Sequence, residues 1–223
     1  LVLVITAIML PSGVGKMKSK PKFTQVFSRV EAINWLSAAR FFLFGSRDIW
    51  FVVALPVFLY EVLGWSFIEV GSFLALWIIG YGFVQASAPK LVKRSHHGQG
   101  PGGDTARGWT FILALFPMAI TLALQYGWPA DAVLIIGLIL FGIVFAINSA
   151  LHSYLILAYS DHDKVAMNVG FYYMANAGGR LVGTILSGWV YQTHGLEGCL
   201  WWSSGFVLVA ALLSFKLPDL KNS

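Results

Sequence analysis

The chain has 223 residues, of which 57% are hydrophobic and only 11% charged, and its mean hydropathy is +0.73. A soluble domain carries about a quarter charged residues, and 223 residues cannot bury this much apolar sequence in a water-soluble core. The formal charge of +5 would suggest nucleic acid in a soluble protein. Here membrane topology explains it better, and no nucleic-acid partner is expected. One cysteine, Cys199, excludes an intrachain disulfide and a thiolate metal cluster.

Residues 1–11 are apolar but too short for a hydrocarbon core of about 30 Å. They have no basic stretch before them and no clear small-residue cleavage site after them. They are expected to be the end of a truncated transmembrane helix, which makes the chain a piece of a longer protein. Residues 12–32 are polar and basic, with Pro21 and two glycines, and read as a cytoplasmic linker. Six spans follow, at about residues 33–60, 67–89, 109–127, 132–159, 165–192 and 198–215. Together residues 33–217 form a six-helix transmembrane bundle, and residues 218–223 a cytoplasmic tail. The fold class is therefore all-α, a polytopic membrane helical bundle surrounded by lipid.

The loops test that count. Lys16, Lys18, Lys20, Lys22, Arg29, Lys90, Lys93, Arg94, Arg107, Lys164, Lys216 and Lys221 all fall on one side of the alternation. The opposite loops, near residues 61–67, 128–131 and 194–197, hold no lysine or arginine. This split places the linker and the C-terminal tail in the cytoplasm.

The other three arginines lie inside spans, where each buried charge costs about 2.5–3.5 kcal/mol on insertion scales. The first span carries Arg40, Arg47 and Asp48. Arg40 and Arg47 are seven residues apart and differ by only about 20° around a helix, so they share a face. The fifth span carries a polar stripe of Tyr173, Asn176, Arg180, Thr184, Ser187 and Tyr191, spaced by threes and fours. Gly179 and Gly183 beside it form a GxxxG spacing that permits close helix contact. The fourth span adds Asn148 and His152, four apart. The third and sixth spans contain no charge and no histidine.

Each feature also has a structural reading. Asp48 can neutralise one arginine. Arg180 can bond carbonyls at a helix break, and Asn148 and His152 can fasten helices together. His96 and His97 are a loop pair, and residues 95–104 lack the Gly-Lys-Ser/Thr ending of a phosphate-binding loop. No enzyme motif and no cofactor motif is present. On the functional reading, three arginines against Asp48 leave the span interiors net positive. That suits a small anionic substrate, because the planar guanidinium fork binds phosphate or carboxylate oxygens in pairs. The candidate substrate-binding residues are Arg40, Arg47, Arg180, Asn176, Tyr173, Asn148 and His152. Asp48 is the candidate for proton coupling.

A basic linker followed by six spans resembles the second half of a major facilitator superfamily transporter. That resemblance implies a six-helix C-terminal half whose partner is a missing N-terminal six-helix half. It also implies that the first and fourth spans line the cavity, that the second and fifth flank it, and that the third and sixth face lipid. Residues 41–59 (FFLFGSRDIWFVVALPVFL), 77–89 (WIIGYGFVQASAP) and 172–192 (YYMANAGGRLVGTILSGWVYQ) resemble the ArsJ-type organoarsenical efflux permeases. The likeness covers most of the chain from Asn34 onward. It implies a secondary transporter of the bacterial inner membrane that exports 1-arseno-3-phosphoglycerate. It also implies a functional link to the glyceraldehyde-phosphate dehydrogenase that makes this compound from arsenate. Transport of another phosphorylated or carboxylated metabolite, or a membrane scaffold without transport, stays open on the residues alone.

Overall fold

A computed structural model describes residues 28–91, 101–160 and 165–219. The expected helix end at 1–11, almost all of the basic linker, His96, His97 and Lys164 lie outside the described residues. The described chain is helical and contains no strand. It runs α1 (Glu31–Phe51), α2 (Ala54–Glu61), α3 (Phe67–Leu91), α4 (Gly103–Gln125), α5 (Ala130–Ala158) and α6 (Val165–Leu213), and ends in a 3-10 turn at Ser214–Lys216. In a bilayer core, where water cannot satisfy the backbone, a helix is the form in which one apolar segment bonds all its own amides.

Five helical segments among the described residues are long and apolar enough to cross a membrane, and the last of them holds two legs. Gly195, with φ 65° and ψ −166°, interrupts α6. The rings of Trp189 and Trp202 then meet at 6.4 Å, and Cys199 Sγ donates to the carbonyl of Ser187 at 3.7 Å. In one straight helix residues 12 or 13 apart would be separated by about 18–20 Å, so the chain reverses at Gly195. The two legs reproduce the fifth and sixth spans of the sequence reading. Backbone in this region of φ/ψ is open essentially to glycine alone. Gly195→Ala is expected to cost about 1–3 kcal/mol, read as an earlier midpoint in detergent unfolding.

The first span is interrupted at Val52 and Val53, between α1 and α2. Pro56 accounts for this. It has no N–H to give the carbonyl four residues back, at Val52, and its ring crowds that carbonyl. The amide of Ala54 leaves the helical ladder and donates to Ser187 Oγ of α6 at 3.1 Å, inside the bundle.

α1 and α2 pack along α6, α4 lies against both α5 and α6, and α3 leans on α5. Aromatic rings fill the centre: Trp50 on Phe141, Phe141 on Phe145, and Phe44 on Phe145. Polar contacts identify which ends belong together. Trp65 Nε1 donates to Asp131 and Gln125 Nε2 to Glu197, which gathers the loops that carry no lysine or arginine at one end. At the other end Ser28 Oγ donates to Asn168 Oδ1, the Asp104 amide to Asp219, and Tyr159 Oη to the Pro218 carbonyl. Arg29, Arg107 and Lys216 belong to that second end. For these three cations the structure agrees with the alternation inferred from charge.

Candidate functional site

The site begins with a close approach between two helices. A side chain at Gly179 would run into the carbonyl oxygen of Phe41 on α1. A Cβ on Gly183 would lie 2.5 Å from the carbonyl oxygen of Gly45 and 3.1 Å from Asp48 Cβ. Gly45 is itself pressed against the Gly179 carbonyl, where a Cβ would sit at 3.0 Å. Three glycines therefore bring α1 and α6 into backbone contact, the function expected of the GxxxG spacing. Gly45 was not foreseen as their counterpart. Its signal was its place three residues before Asp48, on the same helical face.

That contact sets Asp48 opposite Arg180. Arg180 Nε lies 2.9 Å from Asp48 Oδ2, while Arg47 Nε donates to Asp48 Oδ1 at 2.7 Å. One carboxylate joins two guanidinium groups, so the triad keeps an excess positive charge. Asp48 is buried, Arg47 is nearly so, and the Arg180 side chain is 54% exposed. Among the described residues Arg180 makes no other side-chain hydrogen bond or ion pair, and its half-exposed guanidinium keeps donors for an oxyanion. Tyr173, seven residues earlier, shares that exposed face. Asn176 lies between them, and its Oδ1 is buried without a hydrogen-bond partner.

The rest of the polar stripe has other uses. Thr184 Oγ1 bonds back to the Arg180 carbonyl, Ser187 holds the Ala54 amide, and Tyr191 is partly buried against the aromatic core.

Arg40 and Arg47 share a face, as their spacing requires, and both meet the Phe44 ring, at 3.8 and 5.3 Å from its centroid. Phe145 takes the other contact of Arg47, at 5.4 Å. Arg40 is 3% exposed, lies 4.9 Å from the centre of the Tyr172 ring, and donates from Nη1 to the Ser149 carbonyl at 3.2 Å. These rings were not singled out in the sequence, because aromatic residues are common throughout the spans.

The fourth-span candidates point into the bundle. Asn148 Oδ1 accepts from Thr110 Oγ1 at 2.9 Å, and its Nδ2 lies 3.0 Å from the carbonyls of Trp109 and Val144. This is the geometry of a fastener between α4 and α5. His152 is fully buried, and neither ring nitrogen has a hydrogen-bond partner. Among the described residues no group of three or more His, Cys, Asp or Glu could hold a metal ion.

Several helices long and apolar enough to cross a membrane, with Arg47, Asp48 and Arg180 paired between two of them, define a multi-pass membrane protein. A family model described as Major Facilitator Superfamily matches residues 36–223. The chain belongs to that superfamily, and so to a class of secondary transporters. No curated protein matches it.

Proposed function

We propose that the protein exports a small organic anion, and that the anion is 1-arseno-3-phosphoglycerate. One observation carries the anion reading. The Arg47–Asp48–Arg180 triad has more positive than negative charge, and the Arg180 side chain in it is half exposed. An oxyanion reaching that side chain competes with Asp48 for Arg180. The bond between α1 and α6 is then exchanged for a bond to the solute. Asp48, released from one of its two cations, becomes the group that takes up a proton, which links solute movement to the proton gradient. Asp48→Asn is expected to remove the pH dependence of transport; unchanged pH-driven uptake into everted vesicles would exclude this role.

The choice of solute rests on the likeness of residues 41–59, 77–89 and 172–192 to organoarsenical permeases. It also rests on chemistry: a small polyanion suits arginines, whereas a trivalent arsenic carrier would call for a thiol cluster that Cys199 alone cannot supply. In this reading a glyceraldehyde-phosphate dehydrogenase supplies the solute. The protein sits in a bacterial inner membrane with its basic end and C-terminus cytoplasmic. A second six-helix half covers the exposed face of α3, where Phe67, Ile68 and Phe83 are more than 70% exposed.

The test is arsenate resistance and cellular arsenic in arsenate-sensitive cells that express the protein with and without the dehydrogenase. Resistance should need both proteins and disappear with Arg47→Ala or Arg180→Ala. A well-inserted protein that gives no resistance would remove the arsenic assignment and leave another phosphorylated or carboxylated metabolite as the solute. Normal transport by both arginine variants would remove the anion site itself.

A further inference from the structure

Two turns before the triad on α1 lies a second buried cation that no carboxylate among the described residues balances. Among the described residues the two ion pairs belong to Arg47 and Arg180, and Arg40 has none. Its guanidinium lies against the Phe44 and Tyr172 rings, and Nη1 is engaged by the Ser149 carbonyl. Its Nε, fully buried, has no partner. One turn beyond the Ser149 carbonyl that Arg40 meets, His152 is buried on the same helix with both ring nitrogens unpaired. Ser37 Oγ, one turn before Arg40 on α1, is buried and unpaired as well.

Unpaired buried polar atoms are rare, because each forfeits a hydrogen bond that water would have given. Trapped water could supply those bonds. It could not supply the negative charge that a buried arginine lacks, and in a bilayer such a charge needs compensation. The vacant donors are Arg40 Nε–H and whichever imidazole nitrogen carries a proton. These donors suit an oxyanion, and guanidinium is the side-chain group that holds oxyanions best. The Arg47 guanidinium meets the same Phe44 ring, so one ring separates the triad from Arg40.

We propose that Arg40 and His152 form a second oxyanion subsite, and that the transported solute is therefore a small molecule with two anionic groups. Arg47 and Arg180 hold one group, and Arg40 with His152 holds the other. This rests on the anion-transport reading above. Arg40 is sealed in this structure, so the second group engages only after the first has bound at Arg180 and the rings have parted. A solute with one anionic end leaves the inner subsite unfilled and binds less well.

The experiment is ligand titration of the purified protein in detergent micelles, followed by tryptophan fluorescence. The probes are 3-phosphoglycerate, which has a phosphate and a carboxylate on one three-carbon skeleton; glycerol 3-phosphate, which has only the phosphate; and inorganic phosphate. The wild-type protein should bind 3-phosphoglycerate at least tenfold more tightly than glycerol 3-phosphate. Arg40→Gln should bring that ratio close to one. His152→Gln should reduce it and provides the readout if Arg40→Gln does not fold. Equal affinities in the wild type, with both ligands weakened by Arg180→Gln, would overturn the second subsite and leave the transport reading intact. If inorganic phosphate and glycerol 3-phosphate bind together, and His152→Gln abolishes only the phosphate, the subsite belongs to a free anion and the two-ended solute is overturned. No binding of any of the three probes would overturn both readings.

Discussion

Gly179→Ala is expected to destabilise the bundle by about 3 kcal/mol, the upper end of what overpacking a tight contact costs. The added methyl meets a main-chain carbonyl at Phe41, which cannot swing aside as a side chain could. The helices must separate, and with them the Asp48–Arg180 pair. Gly178→Ala is the control. Its Cβ would lie 3.4 Å from the Phe41 ring, an ordinary contact, so that variant should unfold close to the wild type. Unfolding in mixed micelles measures both. Equal midpoints for the two variants would mean that α1 and α6 are not in backbone contact at this level.

Asp48→Ala is expected to cost about 3–5 kcal/mol, because it leaves a buried cation without its partner. The effect belongs mainly to Arg47, whose side chain is 12% exposed. The Arg180 arm is half exposed and screened, and contributes at most about 1 kcal/mol. Removing both buried charges should therefore do less harm than removing one: Asp48→Asn combined with Arg47→Gln should regain a measurable part of the stability lost in Asp48→Asn. If the single and double variants unfold alike, Asp48 and Arg47 are not energetically coupled. Proton-driven transport should be lost in both, since neither retains the Asp48 carboxylate. Stability and transport thus separate the role of the ion pair in folding from its role in binding.

The sequence was most informative where the bilayer acts on it. Apolar runs and the one-sided distribution of Lys and Arg gave the six crossings, because the cost of a charge in hydrocarbon leaves few alternatives. The GxxxG spacing on the fifth span was legible for a similar reason, since small residues in a membrane helix mark close contact. The partner of a charge was harder to read. Arg40 and Arg47 share a face, but their different environments depend on the rings of Tyr172 and Phe145, which come from other helices. Arg180 joins the first-span cluster only because Gly45, Gly179 and Gly183 close the gap between α1 and α6. Asn148 could be read as a ligand or as a fastener between helices, and its partners became visible only in the fold, where Thr110 and two carbonyls take up its amide. Periodicity gives the face of a helix but not the residue that meets it.

The interruption at Val52 and Val53 has a mechanical consequence. Below it, α1 is locked to α6 by glycine contacts and by the Asp48 bridge, so those turns behave as one stiff strut. Above it, α2 buries Ala54, Leu55 and Leu59 in the same core, and its first amide, at Ala54, is held by a hydroxyl of α6, Ser187 Oγ, in place of a main-chain bond. A hydroxyl can pivot where a helical ladder cannot. The break thus divides the first span into a stiff strut that carries the whole charged cluster and an outer third that carries none of it.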